Sequence, residues 1–130
     1  MKTYAIVTGV VKYKDKFLLL KRWPKARTYQ LKWSFCSGYI CEYESSEDAV
    51  LREIKEETGL KVRIVKSAKP FYFVHNGIRW VIMGFLCSSN SMKVKLCHEN
   101  TDYRWASLRE IKKYPLVPHL GKNLKMLGLV

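Results

Sequence analysis

The sequence predicts a single α/β (α+β) domain in which a mixed sheet is flanked by helices. Two patterns carry that expectation. Short segments of strand character outnumber helical ones, and the strongest helical segment interrupts them in mid-chain, which favours a helix-covered sheet over a pure β-barrel. The third observation is size: 130 residues, 48% hydrophobic and 27% charged, suit one domain spanning 1–130 with a substantial core.

Tyr4 to Tyr13 is rich in β-branched residues and reads as a strand, Lys14-Asp15-Lys16 as a turn, and Phe17 to Leu20 as the return strand of a hairpin. A long basic loop follows, with Lys21, Arg22, Lys25, Arg27 and Lys32 around Pro24. From Ser45 or Ser46 a helix begins, because a serine can cap it, Glu47 and Asp48 complement its dipole, and Gly59 stands where a left-handed terminating residue belongs. Val50 and Ile54, four apart, form the stripe that packs it onto a sheet, with Leu51 at the edge. Val62 to Val65 and Phe71 to His75 are extended, and Asn76-Gly77 is a type I′ hairpin dipeptide leading into Ile78 to Cys87. Ser88 to Ser91 reads as a loop and Tyr103 to Ala106 as a short strand. Ser107 caps a brief helix through Ile111, and a last helix lies near Leu120 to Leu127.

The net charge of +13 is unevenly spread. Seven of the eleven acids lie between Glu42 and Glu57, where Arg52 and Lys55 are the only bases, a balance of −5; the remainder, 22 bases against 4 acids, carries +18. Clustered carboxylates are costly without cations, and a basic surround attracts phosphates, so the two features together suggest a metal site that receives a polyphosphate. Met1 to Val11 is too short an apolar stretch to span a bilayer and has no small-residue cleavage site, so a cytoplasmic protein without a membrane partner is expected. Cys36, Cys41, Cys87 and Cys97 show no CxxC spacing and are expected as reduced thiols.

Within the acidic segment stand Gly38, five residues, Glu44, seven residues, and then Arg52-Glu53-Ile54-Lys55-Glu56-Glu57-Thr58-Gly59-Leu60. On a helix, Glu53, Glu56 and Glu57 at i, i+3 and i+4 share one face beside the Val50/Ile54 stripe. Their mutual repulsion weakens the helix, so a purely structural purpose explains them poorly. Hard oxygen ligands at this density suit Mg²⁺ or Mn²⁺. The whole pattern, Gly38 to Leu60, resembles the Nudix box at every defining position and marks the chain as similar to MutT-like Nudix hydrolases. That resemblance implies an α/β/α sandwich and a metal-dependent hydrolase that cleaves a phosphoanhydride in a nucleoside diphosphate-linked substrate. It makes Glu53, Glu56 and Glu57 metal ligands and catalytic residues, with Glu53 the first candidate for the base. Arg52 belongs to the same catalytic set by orienting the carboxylates. Gly38 is expected to permit a backbone turn that a side chain would obstruct.

Outside the box, Glu99 stands where many relatives supply a further metal ligand or base. Arg22 and Arg27, with Lys25, are candidates for holding phosphates. Tyr39, following Gly38, is the aromatic favoured to contact substrate, whereas Trp33, Tyr72 and Trp80 are read mostly as core, and His75 and His98 as surface residues. Where the family often has a proline and a second glycine before the box glycine, this chain has Cys36-Ser37, which leaves the ligands intact but weakens inference of a MutT-like substrate. Pro70 and Tyr72 miss the spacing that marks the ADP-ribose and dinucleoside polyphosphate subfamilies. The expected partner is a small nucleotide, first a nucleoside triphosphate, acted on by a monomer or homodimer. An ADP-ribose-type sugar, an RNA 5′ end, for which no RNA-reading motif is present, and a non-catalytic binding domain are the alternatives.

If the basic surround steers anionic substrates, kcat/KM falls as salt rises from about 0.02 to 0.5 M, because screening shortens to about 10 Å at 0.1 M. A flat profile removes steering.

Overall fold

The computed structural model describes residues 1–130. β1 (Lys2–Tyr13) and β2 (Lys16–Arg22) form the expected hairpin, but they pair only at Lys12↔Phe17 and Tyr13↔Lys16. Beyond that point they part. β4 (Cys36–Tyr39) takes the edge of β1 from Ile6 to Gly9, while β3 (Trp33–Ser34) and β8 (Asn100–Ala106) pair with β2. The opened hairpin therefore admits a short strand from the heart of the acidic motif into the middle of the sheet.

β7 (Ile78–Ser89) runs parallel to β1 from Lys2 to Lys12, and β5 (Val62–Ser67) and β6 (Phe71–His75) pair antiparallel with β7. The result is one mixed sheet of eight strands. Asn76 and Gly77 have φ of 51° and 72°, the two positive values a type I′ turn requires. Ser88 and Ser89, expected in a loop, continue β7 instead, because β5 offers partners as far as Val62↔Ser89; cross-strand pairing overrides the low strand propensity of serine.

α1 (Ser46–Thr58) has the expected ends: the Ser45 hydroxyl accepts from the Asp48 N–H, and Gly59 closes the helix at φ 74°. Its Ala49, Val50 and Ile54 are buried against Val7, Val11, Leu18, Leu20 and Phe85 on one face of the sheet. The opposite face carries Val10, Phe17, Leu19 and Phe35, covered by α2 (Leu108–Ile111) and α3 (Leu120–Met126) through Ile111, Leu120 and Leu124. This is an α/β/α sandwich with one core on each side of the sheet. Ser107 and Glu110 form a reciprocal capping box on α2, and Glu110 also accepts from Lys16 Nζ at 2.8 Å. All four cysteines are free thiols. No helix is long and apolar enough to cross a membrane.

α1 lies so close to β1 that Gly9 has no space for a side chain: a Cβ there would stand 2.6 Å from Ile54 Cδ1 and 3.0 Å from Val50 Cγ2. Gly9→Ala is expected to destabilise the fold by about 1–3 kcal/mol through overpacking, lowering Tm by at least about 3 °C. A thermal melt indistinguishable from wild type would show that the helix is not pinned there.

Candidate active site

The acidic motif folds as a strand, a loop and the helix α1, and one guanidinium ties them together. Arg52 donates through Nε and Nη2 to both oxygens of Glu44 at 2.7 and 2.9 Å, through Nη1 to Glu53 at 2.9 Å and Glu56 at 3.3 Å, and through Nη2 to the Tyr39 carbonyl at 3.0 Å. The same arginine thus binds the loop, the strand and two of the helix carboxylates. Glu44 also accepts from the Cys41 N–H, and these bonds, the Arg52 fork first, bring its carboxyl down to about 2. Arg52 engages Glu44 in the loop and Glu56 on the helix at once.

Glu57 is different. It is 5% exposed, and its side chain has a single hydrogen-bond partner, the Ser37 N–H of β4 at 3.1 Å. Burial drives its carboxyl well above the ordinary value, the Ser37 bond opposes that, and the nearby Glu53 and Glu99 charges raise it further while Arg22 lowers it. Burial likewise raises Glu53 against the opposing pull of Arg52. The carbonyls at the end of α1 hold the neighbouring chain: Glu57 accepts from the Cys97 N–H at 3.4 Å and Thr58 from the Lys95 N–H at 2.9 Å. Two residues on, Glu99 is exposed, and its carbonyl accepts from the Trp23 N–H at 3.2 Å, so the basic loop begins beside it.

As they stand, the carboxylates do not converge as a set of three on one point. Arg52 and Ser37 hold them apart. The donor chemistry nevertheless fits a divalent cation: hard oxygens, one of them on a buried carboxylate whose charge a cation would stabilise. Glu53, Glu56 and Glu57 are the residues able to hold it, with Glu99 near enough to act on two of them electrostatically.

On the other face of the sheet, next to β4, lies a small pocket lined by Thr8, Ser34, Ser37, His119, Leu120 and Asn123, with Phe35 and Val117. Three buried polar atoms, Thr8 Oγ1, His119 Nδ1 and Asn123 Oδ1, have no hydrogen-bond partner, and all three line this pocket. Each orphan costs about 1–3 kcal/mol. All three lie around a space of about 10 Å³, the size of one water molecule. His119 stacks on Phe73 at 5.1 Å, and burial together with the Arg22 charge lowers its pKa. The Arg22 charge lowers both His119 and Glu57.

A family model described as the NUDIX domain matches residues 3–127. The chain belongs to the Nudix family. It is 25% identical to the nucleoside triphosphatase NudI of Escherichia fergusonii, over the whole of both chains. Among solved structures, a MutT protein from Methanosarcina mazei Go1 superposes with a TM-score of 0.87 at 26% identity, covering 98% of this chain and 94% of that one. A MutT Nudix hydrolase from Burkholderia pseudomallei, at 21% identity, shares the fold with a TM-score of 0.85 over 98% and 99% of the two chains. The Nudix chain is therefore a hydrolase of phosphorus-containing acid anhydrides, in a family that generally uses divalent metal ions.

The structure joins Arg52 to Glu53, Glu56 and the Tyr39 carbonyl and packs Glu53 on Gly38, while Glu57 bonds to Ser37 instead; the Tyr39 side chain is 53% exposed. The expectation for Gly38 needs correction. It makes no turn but lies inside β4, paired with Val7, and its missing side chain is the space that the Glu53 carboxylate fills. Arg22 donates to the Thr28 carbonyl at 2.8 Å and braces the basic loop, whereas Arg27 is exposed and forms no ion pair. Of the aromatics read as core, only Trp33 is buried; Tyr72 is exposed and Trp80 half-buried, because the ends of β6 and β7 extend past the covering helices. The sequence reading missed Thr8, His119 and Asn123. A threonine inside an apolar strand, and an asparagine on the apolar stripe of the last helix with Leu120 and Leu124, were the available signals.

Gly38→Ala is expected to change stability by no more than about 0.5 kcal/mol, since only the end of a flexible side chain must move. Displacing Glu53 should still lower kcat/KM about 10²-fold. Equal losses in a thermal melt and an activity assay would instead mark Gly38 as structural.

Proposed function

We propose that this Nudix hydrolase is a pyrophosphohydrolase of nucleoside triphosphates that works with Mg²⁺ or Mn²⁺. The observation that carries the reading is the carboxylate face of α1, where Arg52 holds Glu53 and Glu56 and Glu57 lies buried without a counter-charge, in a chain whose remainder is strongly basic. The NudI relatives, named nucleoside triphosphatases, support the same choice.

In this reading the phosphates lie against α1 beside Gly38, where the Glu53 carboxylate meets the strand. Arg22 and the exposed Arg27, with Lys25, receive phosphate charge at the entrance. Glu53, Glu56 and Glu57, with Glu99 as a further ligand or base, hold the metal ion. The ion supplies charge neutralisation on the phosphates and activation of water for in-line attack. Arg52 is a positioning residue: its fork to Glu44 fixes the direction in which Glu53 and Glu56 point. Glu53, whose proton affinity burial raises, takes the proton as the water oxygen bonds to phosphorus and the bridging P–O bond breaks.

A panel of nucleotides assayed with Mg²⁺ for released phosphate or pyrophosphate tests the reading. Glu57→Gln is expected to lower turnover by two or more orders of magnitude. Absence of nucleoside triphosphate hydrolysis across the panel would overturn the substrate, and full turnover by Glu57→Gln would overturn the assignment of the carboxylates.

A further inference from the structure

α3 meets the sheet through two kinds of contact. Leu120 and Leu124 enter the core with Val10, Phe17 and Leu19, whereas His119 and Asn123 border the cavity that Thr8, Ser34 and Ser37 line from the strands. His119 is the N-cap residue of α3, but its side chain makes no capping bond, which leaves Nδ1 to the cavity. Asn123 reaches in over Gly84, the register partner of Thr8 across β1 and β7: a Cβ on that glycine would stand 3.2 Å from Asn123 Oδ1. Thr8 Oγ1, His119 Nδ1 and Asn123 Oδ1 are all buried and have no protein partner. Nearly all buried polar atoms of native proteins are paired, so three orphans around one space require a shared partner. That space, about 10 Å³, has the volume of a single water.

We infer that this cavity is a binding site for one resident water molecule, which joins α3 and its cap residue to β1. The donors and acceptors match. A neutral imidazole protonated at Nε2 accepts at Nδ1, the Asn123 side-chain carbonyl accepts, and the Thr8 hydroxyl donates. A water that gives its two hydrogens to His119 and Asn123 and receives one from Thr8 makes about three bonds, the usual number for a buried water. Other small occupants fit less well. Two lone-pair acceptors repel an anion, and a cation would meet the Arg22 charge, which already acts on His119. An apolar filling would leave all three atoms without a bond. The site also sets the tautomer of His119, because the nitrogen that faces the water's hydrogen must be the one without a proton. Ser37, which borders the same cavity, gives its N–H to Glu57 on the other face, so the water lies directly behind the strand that carries that donor.

Three measurements on the whole chain test the site. A high-resolution crystal structure of the wild type is expected to show one isolated density peak within about 3.2 Å of Thr8 Oγ1, His119 Nδ1 and Asn123 Oδ1. Nitrogen-15 spectra taken above the pKa of His119 are expected to place the ring proton on Nε2 and leave Nδ1 bare. Oxygen-17 relaxation dispersion counts long-lived waters in solution. The double variant Thr8→Val with Asn123→Leu, which removes two of the three partners, is expected to hold one fewer than wild type, and Thr8→Ser, which keeps the hydroxyl, the same number. A cavity empty of density overturns the site, as does a peak whose anomalous scattering or bond lengths mark an ion. So does a proton on Nδ1, or a count of long-lived waters that the double variant leaves unchanged. Should that variant fail to fold, the wild-type density and the wild-type tautomer decide by themselves, since neither depends on a substitution.

Discussion

The close approach of α1 to β1 and β4 is the constraint on which the rest of the site depends. At two places the sheet presents no side chain to the helix: at Gly9, where Ile54 and Val50 descend onto the backbone, and at Gly38, where the Glu53 carboxylate does. With a Cβ at either position the helix or its carboxylate would have to move. Because it sits so low, Glu57 meets the Ser37 N–H and is sealed from water, while Arg52, one turn earlier, reaches across to Glu44 and the Tyr39 carbonyl. Packing thereby becomes chemistry: the apolar stripe that anchors the helix also sets how deep each acid lies.

Electrostatics then divides the acids by depth. Glu44 is held far down by a paired guanidinium, and Glu56, on the rim, shares the same arginine at longer range. Glu57, with one backbone donor and two acidic neighbours, is the member most in need of a positive partner. A buried carboxylate without a counter-charge is costly in any fold, and evolution tolerates such a group where a cation or proton completes it. Among the basic residues outside this island, Arg22 lowers Glu57, but less than burial raises it. Their contribution is the long-range field that a polyphosphate meets on approach.

The polar pocket repeats this conflict on the other face of the sheet. Thr8, His119 and Asn123 come from β1, from the segment before α3 and from α3, and each leaves a buried polar atom without a partner. Gly84 of β7, a neighbour of Thr8 in register, leaves the space into which Asn123 Oδ1 projects. Orphaned polar atoms cost stability here, as the buried carboxylate does on the other face, and β4 is the strand that borders both.

Periodicity and local chemistry determined much of this protein from the sequence alone. The limits of α1, the I′ turn at Asn76-Gly77, the Ser107 cap, and the membership of Arg52, Glu53, Glu56 and Glu57 in one constellation depend on residues within a few positions of one another. Such information survives in a linear chain. Tertiary structure decided what depends on partners distant in sequence. It continued β7 through Ser88 and Ser89 because β5 lay alongside, made Gly38 a place of close approach rather than a turn, and left Tyr4, Tyr72 and Trp80 at the margin of the sheet. It also brought Thr8 beside His119 and Asn123, more than a hundred residues further along the chain, around one cavity. Alternation along a strand tells which side chains share a face, but only the assembled sheet and its covering helices determine which part of that face is sealed and which is left open.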